Sequence, residues 1–189
     1  GLAVGEPPTT KGYTPTVFAT LPKLLERAGR FQGQGSITGL YTVLVDGDDL
    51  TEPVADSVRS ILDGHIVLSR DLAARNHYPA IDVLNSTSRI MRDVTSPRHQ
   101  ELAGRARTIL ATHQEAEDLI NIGAYVKGSN PGIDFAISKI EAINRFLRQN
   151  FDETASLKQS IEELGLILSE RKDEDRQPKL NRRVSDKER

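Results

Sequence analysis

The 189-residue chain carries 25 Lys+Arg against 27 Asp+Glu, a formal net charge of −2, without the basic excess of a nucleic-acid-coating protein. It has no cysteine, which excludes disulfides, thiol nucleophiles and Cys-ligated zinc. No run of about 18 apolar residues could span a membrane, and Gly1 to Pro8 lacks the pattern of a signal peptide, so a soluble cytoplasmic chain is expected.

The first elements in chain order mix turns with β-branched runs. Gly5-Glu6-Pro7-Pro8-Thr9-Thr10-Lys11-Gly12-Tyr13 reads as a loop, because two prolines and two glycines forbid a regular helix. Thr14 is a candidate cap and Pro15 suits a first helical turn. Val17, Leu21, Leu24, Leu25 and Ala28 form the apolar stripe of that helix, Pro22 sits awkwardly within it, and Gly29 is the expected stop. The glycine-rich stretch 33–39 precedes a strand, whereas a dinucleotide fingerprint must follow one, so it reads as a turn.

Residues 36–45 (SITGLYTVLV) read as a strand buried on both faces, as in a parallel sheet. The acidic cluster 46–52 lacks the ligand spacing of a calcium loop and reads as a structural turn, Asp48 and Asp49 included. Val54, Val58, Ile61 and Leu62 follow at helical spacing up to Gly64. Residues 65–68 and 80–84 read as two further short strands. Strands alternating with helices predict a parallel α/β sheet.

From about Pro97 the pattern becomes helical. Leu102, Ala106, Ile109, Leu110, Ala116, Leu119 and Ile120 share one stripe, broken by Gly123, Gly128 and Pro131. Ile133, Ile137, Ile140, Ile143 and Leu147 form a second stripe. Asp152 is the expected cap of a third helix bearing Leu157, Ile161, Leu164 and Ile167. Together these predict a small helical bundle. From Glu170 to Arg189 there are eight basic and six acidic residues, a composition that predicts disorder.

Chemistry is sparse. There is no G-x-x-x-x-G-K-[ST] phosphate loop. His65, His77, His99 and His113 are scattered without metal-ligand spacing. Arg89 closes Ser86-Thr87-Ser88-Arg89, just after the third strand. Its planar fork suits a phosphate, and a surface salt bridge is the alternative. Tyr78, Phe151 and Leu157 are either core residues or a base-stacking site.

Several strings carry a resemblance. They are Gly5-Glu6-Pro7-Pro8 with Gly12-Tyr13-x-Pro15, Gly35-Ser36-Ile37-Thr38, and Gly47-Asp48-Asp49-Leu50-Thr51-Glu52-Pro53. Leu62-Asp63-Gly64-His65-Ile66-Val67-Leu68-Ser69-Arg70, His77-Tyr78-Pro79-Ala80-Ile81-Asp82 and the S-T-S-R string complete the series. In this order they resemble the C-terminal half of the flagellar export ATPase, of the type III secretion ATPase family, itself related to the catalytic subunit of rotary ATP synthases. Ile122-Gly123-Ala124-Tyr125 followed by Gly128-Ser129-Asn130-Pro131 resembles the flagellar branch. A virulence secretion ATPase, an ATP synthase subunit and a non-catalytic interaction module are the alternatives.

The resemblance implies the C-terminal part of a RecA-like parallel-sheet nucleotide-binding domain over residues 1–95. A small all-α helical domain over 96–168 and a charged, disordered tail over 169–189 would follow. It implies a hexameric ATPase that energises protein export, located in the cytoplasm and peripheral to the inner membrane. Its partners would be a central stalk protein, a regulatory peripheral-stalk protein, a membrane export gate, export substrates and chaperones, and no nucleic acid. Arg89 would be the arginine finger reaching a neighbouring subunit's nucleotide. Tyr78, Phe151, Thr154 and Leu157 would form the adenine pocket for ATP. The phosphate loop, the catalytic glutamate and the magnesium-supporting aspartate would lie upstream of Gly1, so the 189 residues alone are expected to be inactive. The loop from Gly5 to Pro15 would face the central pore.

Overall fold

The structure, a computed structural model, describes residues 1–30, 32–33 and 35–169. The expected disorder of the tail falls on 170–189, outside the described residues. The chain divides into two compact units, Gly1–Gln100 and Glu101–Arg189.

In the first unit, α1 (Pro15–Leu25) opens with Pro15 in its first turn. Thr14 stands at the cap position but makes no side-chain cap bond. Instead the Thr16 amide donates to Glu6 Oε1 at 2.8 Å. An acceptor from ten residues upstream thus satisfies an orphan N–H. Pro22 lies inside the helix. The helix stops at Leu25, short of Gly29, as Arg27 N and Ala28 N turn to the carbonyls of Leu24 and Leu25.

The expected long strand over 36–45 is corrected. Only β2 (Ser36–Ile37) is paired, antiparallel to β1 (Gly29–Arg30) with Gly29 opposite Ile37. Residues 38–45 form no ladder with any described strand, and Leu40 and Leu44 are 91% and 88% exposed. An apolar β-branched run becomes a strand only where a neighbour supplies backbone partners and a covering face.

Next comes α2 (Pro53–Ile61), which buries Ala55 and Val58. The hairpin of β3 (Gly64–Leu68) and β4 (Ile81–Ser88) is antiparallel, with Gly64 opposite Ser88 and Leu68 opposite Ile81. The expected parallel pairing is therefore corrected as well: neither ladder among the described residues is parallel. Between the strands lies α3 (Arg70–Ala74), five residues long. The whole connection, residues 69–80, is at the short limit of about a dozen residues that a parallel crossover needs. The hairpin carries a bulge between His65 and Val67. Asn85 folds onto the Asp82 carboxylate there, and Ser86 Oγ accepts from Val67 N at 3.0 Å. The one-turn α4 (Met91–Val94) follows.

The helical part is all-α: α5 (Pro97–Asn121), α6 (Pro131–Leu147) and α7 (Leu157–Leu168). Leu102, Ile109, Ala136, Ile143, Leu164 and Leu168 form its core, flanked by Ala106, Leu110, Phe135, Phe146, Leu147, Ile161 and Ile167. The break falls where Gly123 and Gly128 take φ of 70° and 91°, which glycine adopts without penalty. Asn130 Oδ1 then caps α6, accepting from the amides of Gly132 and Ile133. The expected cap of α7 is also corrected. Asp152 lies in a turn, and Ser156 forms a capping box with Gln159. An α/β part and an all-α part thus follow one another along the chain.

Candidate functional site

Arg89 is launched by the end of β4. Gly64 sits opposite Ser88, and a Cβ on it would lie 2.6 Å from the Thr87 carbonyl oxygen. Only glycine lets the strands close so tightly at that end. Arg89 N then donates to the Asp63 carbonyl at 2.7 Å. Its guanidinium turns to the end of α2, where Nη1 donates to the Ser60 carbonyl at 3.0 Å and Nη2 to the Arg59 carbonyl at 3.2 Å. Terminal helix carbonyls lack intrahelical donors and favour a cation, so this seat has a clear electrostatic cause. It is a carbonyl seat, not the salt bridge weighed from sequence. Arg89 stays exposed, with the rest of its five N–H donors available.

Tyr78 lies between α3 and β4. His77 is buried, and its amide donates to the Leu72 carbonyl at 2.9 Å, which anchors the turn. Tyr78 itself is 53% exposed. Tyr78 and Arg89 therefore flank opposite ends of the same strand.

Phe151, Thr154 and Leu157 belong to the second unit, around the connection of α6 to α7. Glu153 organises it: Asn150 N donates to Glu153 Oε2 at 3.0 Å, Glu153 N to the Asn150 carbonyl at 3.1 Å, and Gln149 Nε2 to the Glu153 carbonyl at 3.0 Å. That turn thrusts Phe151 wholly into solvent. Thr154 is exposed, and Leu157, the first residue of α7, is exposed too. The three share one connection, whereas Tyr78 and Arg89 sit in the first unit. Of the two readings open for Tyr78, Phe151 and Leu157, the core reading is set aside by their exposure.

The acidic cluster is tied into its own unit. Asp48 pairs with Arg70 at 3.1 Å and Asp49 with Lys11 at 3.5 Å. Thr51 donates to Asp49 from both amide and hydroxyl, which holds that carboxyl below its usual range. Tyr13 Oη donates to Glu52 Oε1 at 3.2 Å. The nearby negative charge of Glu52 raises the Tyr13 phenol above its ordinary value. Sequence reading missed this contact, which spans 39 positions and leaves no local signal. Among the described residues no three His, Asp or Glu side chains gather as a metal site, and no helix is long and apolar enough to cross a membrane.

Residues 1–88 match the nucleotide-binding domain of the ATP synthase alpha/beta family. Residues 95–165 match the C-terminal domain of the type III secretion ATPase EscN. The chain belongs to the type III secretion ATPase family. A relative in the same family, the flagellum-specific ATP synthase of Bacillus subtilis, is 56% identical over 161 residues, covering 85% of this chain and 36% of the relative. Among solved structures, the assembled ATPase EscN of the enteropathogenic E. coli secretion system superposes with a TM-score of 0.85 at 46% identity, over 89% of this chain and 41% of that one. EscN in complex with its central stalk EscO gives a TM-score of 0.79 at 45% identity, over 89% of this chain and 40% of that one. The chain thus spans well under half the length of these family members.

Proposed function

We propose that this chain is part of a longer, hexameric ATPase that hydrolyses ATP to energise flagellar type III protein export. Within it, Arg89 is the arginine finger offered to the nucleotide of a neighbouring subunit. Tyr78, Phe151, Thr154 and Leu157 line the adenine pocket. The observation that carries this reading is Arg89 itself, an exposed guanidinium directly after a sheet strand that uses two donors on backbone carbonyls. Phosphoryl transfer spreads negative charge over the equatorial oxygens, and a positioned guanidinium there is worth roughly 10³–10⁵ in rate. The exposed rings of Tyr78 and Phe151 offer π-faces to a base.

The flagellar branch is favoured by the 122–131 string, which builds one ordered connection. There Tyr125 Oη donates to the Asn130 carbonyl and Asp134 Oδ1, both at 3.0 Å, and Gly128 N donates to Asp134 Oδ2 at 2.9 Å. ATP is the nucleotide, with magnesium held by residues outside this chain. Having no phosphate loop, these 189 residues alone do not turn over ATP. A central stalk, a regulatory peripheral stalk, the export gate, chaperones and substrates are the partners, with the enzyme cytoplasmic and peripheral to the inner membrane.

The test is Arg89→Ala in the full-length protein. We expect turnover to fall by about 10³-fold or more while nucleotide affinity stays within a few-fold. A large loss of binding instead would assign Arg89 to the ground state or the fold.

A further inference from the structure

We propose that α2 is the mount of Arg89, and that Tyr13, acting through Glu52, is a positioning residue for ATP turnover. The proposal rests on the reading of Arg89 as a finger.

The mount is fixed at both ends by distant residues of the first unit. Glu52 immediately precedes α2, and its carbonyl accepts from Asp56 N at 2.9 Å. Glu52 is only 9% exposed. A buried carboxylate needs donors, and the Tyr13 hydroxyl supplies one at 3.2 Å. The Tyr13 ring is in turn held edge-on by Phe18 of α1, with centroids 6.1 Å apart. Arg59 ties the helix back to the acidic loop, donating from Nη1 to the Leu50 carbonyl at 3.3 Å.

At the other end, the carbonyls of Arg59 and Ser60 hold the Arg89 fork. The nine residues of α2 are a stiff rod of about 13 Å, seated by buried Ala55 and Val58. A tilt at Glu52 therefore moves the two carbonyls, and the direction of the fork with them. Arg is rich in rotamers, and a finger works only where donors already point at the developing charge. A small misplacement far from the chemistry lowers kcat through lost orientation.

The experiment uses the full-length assembled ATPase. Tyr13→Phe keeps the ring against Phe18 and removes only the hydroxyl. Its kcat is expected to fall roughly three- to thirty-fold, with KM within about twofold, the scale of coupling through such networks. Glu52→Gln, which keeps an acceptor, should stay near wild type, and Glu52→Ala should match Tyr13→Phe. In an Arg89→Ala background, single-turnover rates should show no further loss from Tyr13→Phe. An equal loss in both backgrounds overturns the proposal, as does a rise in KM at constant kcat, or Glu52→Gln falling as far as Glu52→Ala. If Arg89→Ala is inactive and Tyr13→Phe is neutral, the mount fails and the finger stands. If Arg89→Ala keeps full turnover, both fail.

Discussion

Arg105 Nη2 donates to the Leu168 carbonyl oxygen at 2.7 Å, joining α5 to the last residue of α7. Lys139 Nζ reaches the same helix end from α6, donating to the carbonyls of Ile167 and Ser169 at 2.9 and 3.0 Å. Two cations thus serve carbonyls that have no intrahelical donor, at the negative end of the α7 dipole. Arg105→Met is expected to destabilise the helical part by about 1–2 kcal/mol, the scale of a charge-assisted bond that is partly solvated. Thermal unfolding measures it, and an unchanged midpoint would mean that water serves Leu168 equally well.

Ile143 is 1% exposed, within the cluster that joins α5, α6 and α7. Ile143→Ala leaves a cavity among close-packed neighbours and should cost about 2–5 kcal/mol. Ile143→Val should cost only about 0.5–1.5 kcal/mol. Urea denaturation of the two variants separates these values, and equal small losses would mean that the helices collapse into the space.

The Glu6 carboxyl is held below its ordinary value of 4.5, first by the Thr16 hydroxyl and then by the Thr16 amide. A depressed folded-state pKa gives stability that is present above the unfolded value and lost as pH falls through the folded one. The stability difference between wild type and Glu6→Gln should therefore be constant near neutrality and shrink as pH drops below about 4.5. Urea midpoints across pH 3–7 read the convergence directly; a difference that does not change with pH would remove the ionised carboxylate from the cap of α1.

Tyr78→Ala and Phe151→Ala in the full-length protein should each weaken nucleotide binding by about 1–3 kcal/mol, the scale of base–aromatic stacking. Folding should be little affected, since both rings are exposed. Equilibrium binding of a fluorescent ATP analogue measures the loss. An unchanged dissociation constant for either variant would take that ring out of the pocket.

The helices were legible because their signal is local. Leu102, Ile109, Ile143 and Leu164 lie on the expected stripes and reach the core, whereas Leu119 and Ile137 of those stripes are exposed and Ala136, outside them, is buried. Pro15, Pro53 and Pro131 each open a helix, as the fixed φ of proline favours. What failed to show was non-local. Residues 36–45 have strand composition, yet a strand depends on what lies beside it. β4 runs antiparallel to β3 although strand and helix alternate along the chain, because pairing direction is set by the partner strand and not by the order of elements. Ser156 displaced Asp152 as a cap because Gln159 completes the box three residues on. At the candidate site, Arg89 could be picked out from its position after a strand. Its seat on Arg59 and Ser60, about 30 positions upstream, left no mark in the sequence.

Phe151 stands clear of every neighbour on a turn braced by Glu153, and these 189 residues contain no tryptophan. Phe151→Trp would therefore place a lone indole, among these residues, in open water. Its emission would start red-shifted and would respond to whatever settles on it. The exposure that makes Phe151 a candidate platform also makes it an optical window, through which occupancy can be followed in real time without a labelled nucleotide.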